Sequence, residues 1–179
     1  MADKIIQGSN LIYLFRFEGD SNDAWKIAYQ TDGSTSESRS YDSEATKDGN
    51  VLSVGAYEGT HSISALYANK AKAEDKVLDL RNRGIRKQNP ERIEVWEINV
   101  SDINEDSATG LQGHYSIDRI NSVDISGSAE GSATVDIETQ IEEGPVSGDV
   151  TKTETLKSMI AQIASELNFV QPTLDNTVE

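Results

Sequence analysis

The chain has 179 residues, 36% of them hydrophobic, which suits one domain with a core of its own. It has no cysteine and two histidines, His61 and His114, so disulfides and thiolate metal sites are excluded and a zinc centre has too few ligands. Sixteen basic against 31 acidic residues give a net charge of −15, which disfavours tight nucleic-acid binding, because that needs clustered Lys and Arg against phosphates.

The N-terminal MADKIIQGSN lacks the apolar core of a signal peptide, and the run Leu11 to Phe15 is too short to span a bilayer. The expectation is a soluble chain made in the cytoplasm. Leu11 to Phe17, LIYLFRF, is apolar on both faces apart from Arg16 and predicts a strand covered on both sides or buried where copies meet. Trp25 to Tyr29 predicts a second short strand. The stretch Gln30 to Asn50, QTDGSTSESRSYDSEATKDGN, has only Tyr41 and Ala45 as clearly apolar members and predicts a long polar inter-strand loop. Structureless loops above about 12 to 15 residues are uncommon inside compact domains and usually carry a function. Val51 to Val54 and His61 to Tyr67 predict a hairpin punctuated by Gly55 and Gly59, with His61, Ile63, Ala65 and Tyr67 on one face.

Asn69 predicts the cap of a helix running to about Arg83, with Ala73, Val77 and Leu80 on one face and Gly84 as its left-handed C-terminal residue. Arg92 to Val100 predicts a core strand, Trp96, Ile98 and Val100 facing one way and Ile93 and Val95 the other. Leu111 to Ser126 and Ser132 to Glu142 predict two strands joined through GSAEG. In the second, Ala133, Val135, Ile137 and Ile141 alternate with Thr134, Asp136, Glu138, Gln140 and Glu142, so one face is a ladder of carboxylates. Thr151-Lys152-Thr153-Glu154 has capping-box spacing and predicts a helix over about Lys152 to Leu167, with Gln171 to Glu179 as an acidic tail. The expected fold is mainly β, two packed β-sheets in a sandwich or barrel-like arrangement with a flanking helix, over residues 1–150. Residues 151–179 form the C-terminal helix and tail.

Charge is unevenly spread. Residues 1–92 hold 13 basic and 14 acidic side chains, and residues 93–179 hold 3 and 17. Eight of the basic residues fall between Lys70 and Arg92. Such a dipolar subunit can stack, and an acidic wall repels a polyanion within a Debye length of about 8 Å.

Catalytic and metal motifs fail on inspection. Asp102, Asn104 and Asp106 alternate like calcium ligands, but Ser107 and Gly113 stand where that loop needs Gly and a bidentate Glu. No GxSxG elbow is present, and Gly127 to Gly131 carries Glu130 and no following lysine, unlike a phosphate loop. The expectation is a protein that is not an enzyme and needs no cofactor or metal.

Four features in order, Gly8 before the LIYLFRF strand, the AYQTDGS run, the TKDG turn, and a later helix followed by the Arg92 to Val100 strand, resemble the major tail proteins of long, flexible-tailed bacteriophages. The resemblance covers about residues 5–142 and implies a tail-tube subunit. It implies homo-hexameric rings closed by sheet edges and stacked into a virion conduit, through which DNA passes without tight binding. A tape-measure protein, tail-terminator and distal-tail proteins are the implied partners, with no membrane involved. On that reading Asp32, Gly33, Ser34, Arg39, Tyr41, Thr46, Lys47, Asp48 and Gly49 form an assembly loop reaching a neighbour, and Asp118, Asp124, Asp136, Glu138 and Glu142 are candidates for an acidic lumen face. The alternatives are a stand-alone carbohydrate-binding β-sandwich and the tube protein of a bacterial contractile secretion machine.

Overall fold

A computed structural model describes residues 11–27, 30–47, 49–67, 71–101, 111–127 and 133–150. Within them run β1 (Leu11–Phe17), β2 (Gln30–Thr46), β3 (Gly49–Leu66), the helix α1 (Ala71–Arg81), β4 (Ile93–Asn99), β5 (Leu111–Ser126) and β6 (Thr134–Val150). The strands form one six-stranded sheet in the order β1-β4-β5-β6-β3-β2, antiparallel at every pairing.

The mainly-β expectation holds, and the two packed sheets are two halves of this one sheet. β4 pairs β5 only at residues 113–118, and β3 pairs β6 only where Thr60–Leu66 meets Thr134–Gln140. One layer is therefore β1, β4, the first half of β5 and the last half of β6. The other is the last half of β5, the first half of β6, β3 and β2. Register shifts between Tyr115 and Ile117, Ile117 and Asp118, and Ile120 and Ser122 mark where β5 crosses between layers, as bulges do at sandwich corners.

The core lies between the layers. Tyr13, Phe15 and Phe17 from β1, Ile63 and Ala65 from β3, Ile93 and Val95 from β4, and Val135 and Ile137 from β6 pack together with Val77 and Leu80 of α1. Ile12, Leu14 and Ile98 form a second cluster with Leu111. LIYLFRF is thus buried on both faces, and the two faces of β4 divide as their alternation predicts.

Several elements differ from the sequence reading, and β6 runs on to Val150, past the end expected at Glu142. The polar segment from Gln30 is not a loop: it is β2, paired with β3 from Gln30↔Ala65 to Thr46↔Gly49. Backbone ladder bonds hold it, so it needs no apolar period, and none of its side chains announces a strand. Correspondingly, Val51 to Tyr67 is not a hairpin in itself, because β3 passes straight through Gly55 and Gly59. Gly84 is not a left-handed cap: the helix continues as a π-helical turn over Asn82–Arg86, and Gly84 is buried where a Cβ would lie 2.3 Å from Ile120 Cδ1. Trp25 makes one bridge, to Phe15. Gly8, Ala28, Tyr29, Asp48, Asn69, Asp102, Asn104, Asp106 and the segment 151–179 lie outside the described residues.

Candidate functional site

Three surfaces or clusters on this scaffold are organised beyond what folding alone needs. The first is the outward face of the layer built from β5, β6, β3 and β2. Cross-strand register aligns Asp32, Ser64, Asp136 and Asp124 in one row, and Ser34, Ser62, Glu138 and Ser122 in the next. Ser64 donates to Asp136 at 2.5 Å. Asp124 and Asp136 stand directly opposite each other, an arrangement of like charge that costs stability in isolation. Glu142 is held by Arg119 at the edge of this face.

Asp118 does not join the other four candidates. It is 0% exposed, accepting from Ser116 at 2.6 Å and from Thr139. The bulge between Ile120 and Ser122 reverses the in-out alternation of β5, so Asp118 points into the core while Asp124 points out. Periodicity read without the bulge puts them on one face.

That inward turn creates the second cluster, which sequence reasoning missed. His61 is buried, with Nε2 3.2 Å from Ser116 Oγ and 3.6 Å from Asp118. Its Nδ1 is 2.8 Å from Thr35 Oγ1. Thr35 also reaches Glu97 at 2.5 Å, and Tyr13 donates to Glu97 at 3.2 Å. Ser116 thus stands between Asp118, to which it donates, and the His61 ring. Burial holds the His61 pKa below its ordinary value, against the opposing pull of Asp118. Burial and Glu97 push the Tyr13 hydroxyl up to about 12, the Thr35 bond opposing them. The chain of contacts ties β2 and β3 to β1, β4, β5 and β6. Thr139 was the legible member, a hydroxyl in an otherwise apolar inward series.

The third is the set of sheet edges and the arm that extends from them. β1 is closed off by its own chain: Gln30 Nε2 donates to the Tyr13 carbonyl at 2.8 Å, its Oε1 accepts from the Tyr13 N–H at 3.1 Å, and Trp25 exchanges two backbone bonds with Phe15 at 2.8 Å each. LIYLFRF therefore offers no free edge at these positions to a neighbour. β2 has no strand partner on its outer side, nor has β5 beyond Asp118, among the described residues.

The residues assigned to an assembly loop are distributed along β2 and its turn. Asp32, Gly33 and Ser34 sit at its root, where a Cβ on Gly33 would lie 2.3 Å from the Tyr13 ring; this glycine serves packing and not a turn. Arg39 stacks over Tyr57 and Tyr41 pairs with Val54. Thr46 pairs with Gly49 across the turn at Lys47, and Gly49 takes a φ of 130° that L side chains rarely adopt. Beyond Tyr57 the arm is only two strands wide, yet Tyr41, Leu52 and Val54 are 63, 69 and 64% exposed there.

Among the described residues no cluster of His, Cys, Asp or Glu is arranged to hold a metal ion, and no helix is long and apolar enough to cross a membrane.

Residues 5–147 match the family model described as phage tail tube protein. Among solved structures, the SPP1 tail tube superposes with a TM-score of 0.69 at 15% identity, covering 87% of this chain and 86% of that one. The tail of an empty gene transfer agent particle, refined with C6 symmetry, matches with a TM-score of 0.51 at 14% identity over 81% and 98%. A chain of the six-fold symmetrised anti-feeding prophage baseplate matches with 0.53 at 11% identity over 86% and 99%. No curated protein matches the sequence.

Proposed function

The chain belongs to the phage tail tube protein family, components of the virion tail, and from that premise we propose that its copies close into rings by pairing the β2 edge of one with the β5 edge of the next. The observation that carries this is the pair of unpartnered edges bounding one four-stranded layer. In that layer β5, β6, β3 and β2 alternate in direction. An even number of alternating strands lets a rotated copy continue the antiparallel order, since the next β5 runs opposite to β2. Such a contact is head-to-tail, and a rotation that closes gives a ring. Six copies is the number suggested by the symmetry stated for the gene transfer agent tail and the anti-feeding prophage baseplate.

Closure on this edge makes the outward face of the layer continuous around a shared lumen, with Asp124, Asp136, Glu138 and Glu142 on its wall. Fixed negative charge there repels a polyanion and lets DNA pass without adsorbing. A tape-measure protein in the lumen and terminator and distal-tail proteins at the ends would set the length of the tube. The β2–β3 arm reaches a neighbouring copy, and the protein works by assembly, not by catalysis.

The absence of native cysteine allows a clean test. Ser34→Cys on β2 combined in turn with Ser122→Cys, Asp124→Cys or Ser126→Cys on β5 should, in at least one register, yield on oxidation a ladder of covalent oligomers. The single-cysteine variants should stop at dimers. Tubes that form normally while no pair gives a ladder would place ring closure elsewhere.

A further inference from the structure

The polar cluster around His61 is closed on one side and lightly covered on the other. Toward Nε2 stand Ser116 and Asp118, both buried. Toward Nδ1 the ring meets Thr35, and Thr35 lies on β2, whose residues from Gln30 to Ala45 are all exposed or half-buried. Thr35 is thus the lid that separates the ring from solvent.

The same hydroxyl ties β2 to the opposite layer. Thr35 reaches Glu97 of β4 at 2.5 Å and Tyr13 of β1 at 3.2 Å. Apart from Gln30 at the start of the strand, no other residue of β2 hydrogen-bonds to β1 or β4 among the described residues, and Glu37 turns instead to Tyr57 of β3. One side chain therefore fixes how the β2 edge stands against β1 and β4. It rests on an imidazole, the side chain whose ordinary titration falls between pH 5 and 8.

Each strand around that imidazole brings a group to it. Tyr13 of β1 meets it edge-on, ring centroids 5.8 Å apart. Glu37 of β2, Glu97 of β4, and Asp118 and His114 of β5 act on it through their charges. β6 faces it with the uncharged Thr139, its partner across the ladder. Burial outweighs the carboxylates and favours the neutral ring. A proton on His61 places a charge in a buried site, where an ion without water is costly, and water has its shortest way in past Thr35.

We propose that His61 and Thr35 form an acid-released latch on the ring-closing edge: the neutral imidazole holds Thr35, and with it β2, against β1 and β4, whereas the protonated ring displaces Thr35 and frees β2 from that layer. The proposal rests on ring closure through the β2 edge. A ring closes only when each contact repeats one fixed rotation. An edge strand released from its layer no longer sets that rotation, so tubes come apart while the core and the β2–β3 ladder stay folded.

Tubes assembled at pH 7.5 and shifted to pH 5.5 test it, with pelleting to read assembly and far-UV circular dichroism to read the fold. Native tubes should release soluble, folded subunits at pH 5.5 and reassemble on return to 7.5. His61→Gln, which cannot take up the proton, should pellet to the same extent at both values. His114→Gln, which removes the other histidine, should respond as the native chain does. Should His61→Gln fail to fold, Thr35→Val on the exposed strand should raise the concentration needed for assembly several-fold at pH 7.5 and leave it unchanged at 5.5. The latch is overturned by native tubes that survive pH 5.5, by variants at His61 or Thr35 that keep the native response, or by subunits that unfold as tubes dissolve. The cysteine pairs on β2 and β5 separate this from the reading beneath it. Tubes at pH 7.5 without a ladder strike ring closure on β2 and the latch with it, whereas a ladder beside tubes indifferent to His61 strikes the latch alone.

Discussion

At the residue scale, the His61 cluster makes stability depend on pH in a direction that follows from burial. The imidazole pKa is lowered in the folded chain relative to its ordinary 6.5, so the unfolded chain binds a proton more readily. Stability is then fully present above about 6.5 and declines as pH falls toward the folded value. Glu97, Asp118, Glu37 and His114 act on the ring from the surrounding strands. Lower down, Asp20 and Glu91 are held below the carboxylate range by hydrogen bonds from Arg83, and their contribution is present above about 4.5 and is lost below it. Urea midpoints between pH 7.5 and 5.5 should therefore fall for the native protein. His61→Gln should start lower and show a flatter profile across that window. An equal slope in both proteins would assign the titration to another group.

At the scale of elements, the arm should be separable from the rest. Joining Arg39 to Tyr57, which face each other across the ladder, through an Asn-Gly turn removes the two-stranded segment and supplies the residues a two-residue hairpin prefers. The shortened chain should keep its thermal midpoint within a few degrees, still form the β2–β5 ladder, and lose long tubes. Tubes of native length from it would show that the arm has no part in stacking. Strands with a buried face were legible in the sequence: β6 alternates Val135, Ile137 and Ile141 with carboxylates, and β1 and β4 are apolar enough to be placed within a residue or two. β2 was not, because Gln30–Thr46 buries almost nothing and is strand only by virtue of β3 beside it. Gly55 and Gly59 misled for a related reason: in β3 they make room for Ser40, Tyr57 and Ile141 and do not turn the chain.

At the scale of the whole molecule, the outward face shared by Asp124, Asp136, Glu138 and Glu142 was legible from the alternation along β5 and β6. Asp118 was not, because a single bulge reverses alternation and no residue type announces one. The interface geometry lay beyond the sequence for the same cause. Which edges are free depends on the side chain of Gln30 and the backbone of Trp25 closing β1, contacts between residues 17 and 10 positions apart that form only in the folded state. With β1 closed, the layer that carries the carboxylates is also the layer without strand partners at either side among the described residues, so that in the proposed ring, closure and lumen charge are one arrangement. Negative-stain electron microscopy of the purified protein over a range of concentrations tests that account most directly. Rings with a central hole, stacking into tubes as concentration rises, are the expected result, and monodisperse monomers at every concentration would contradict it.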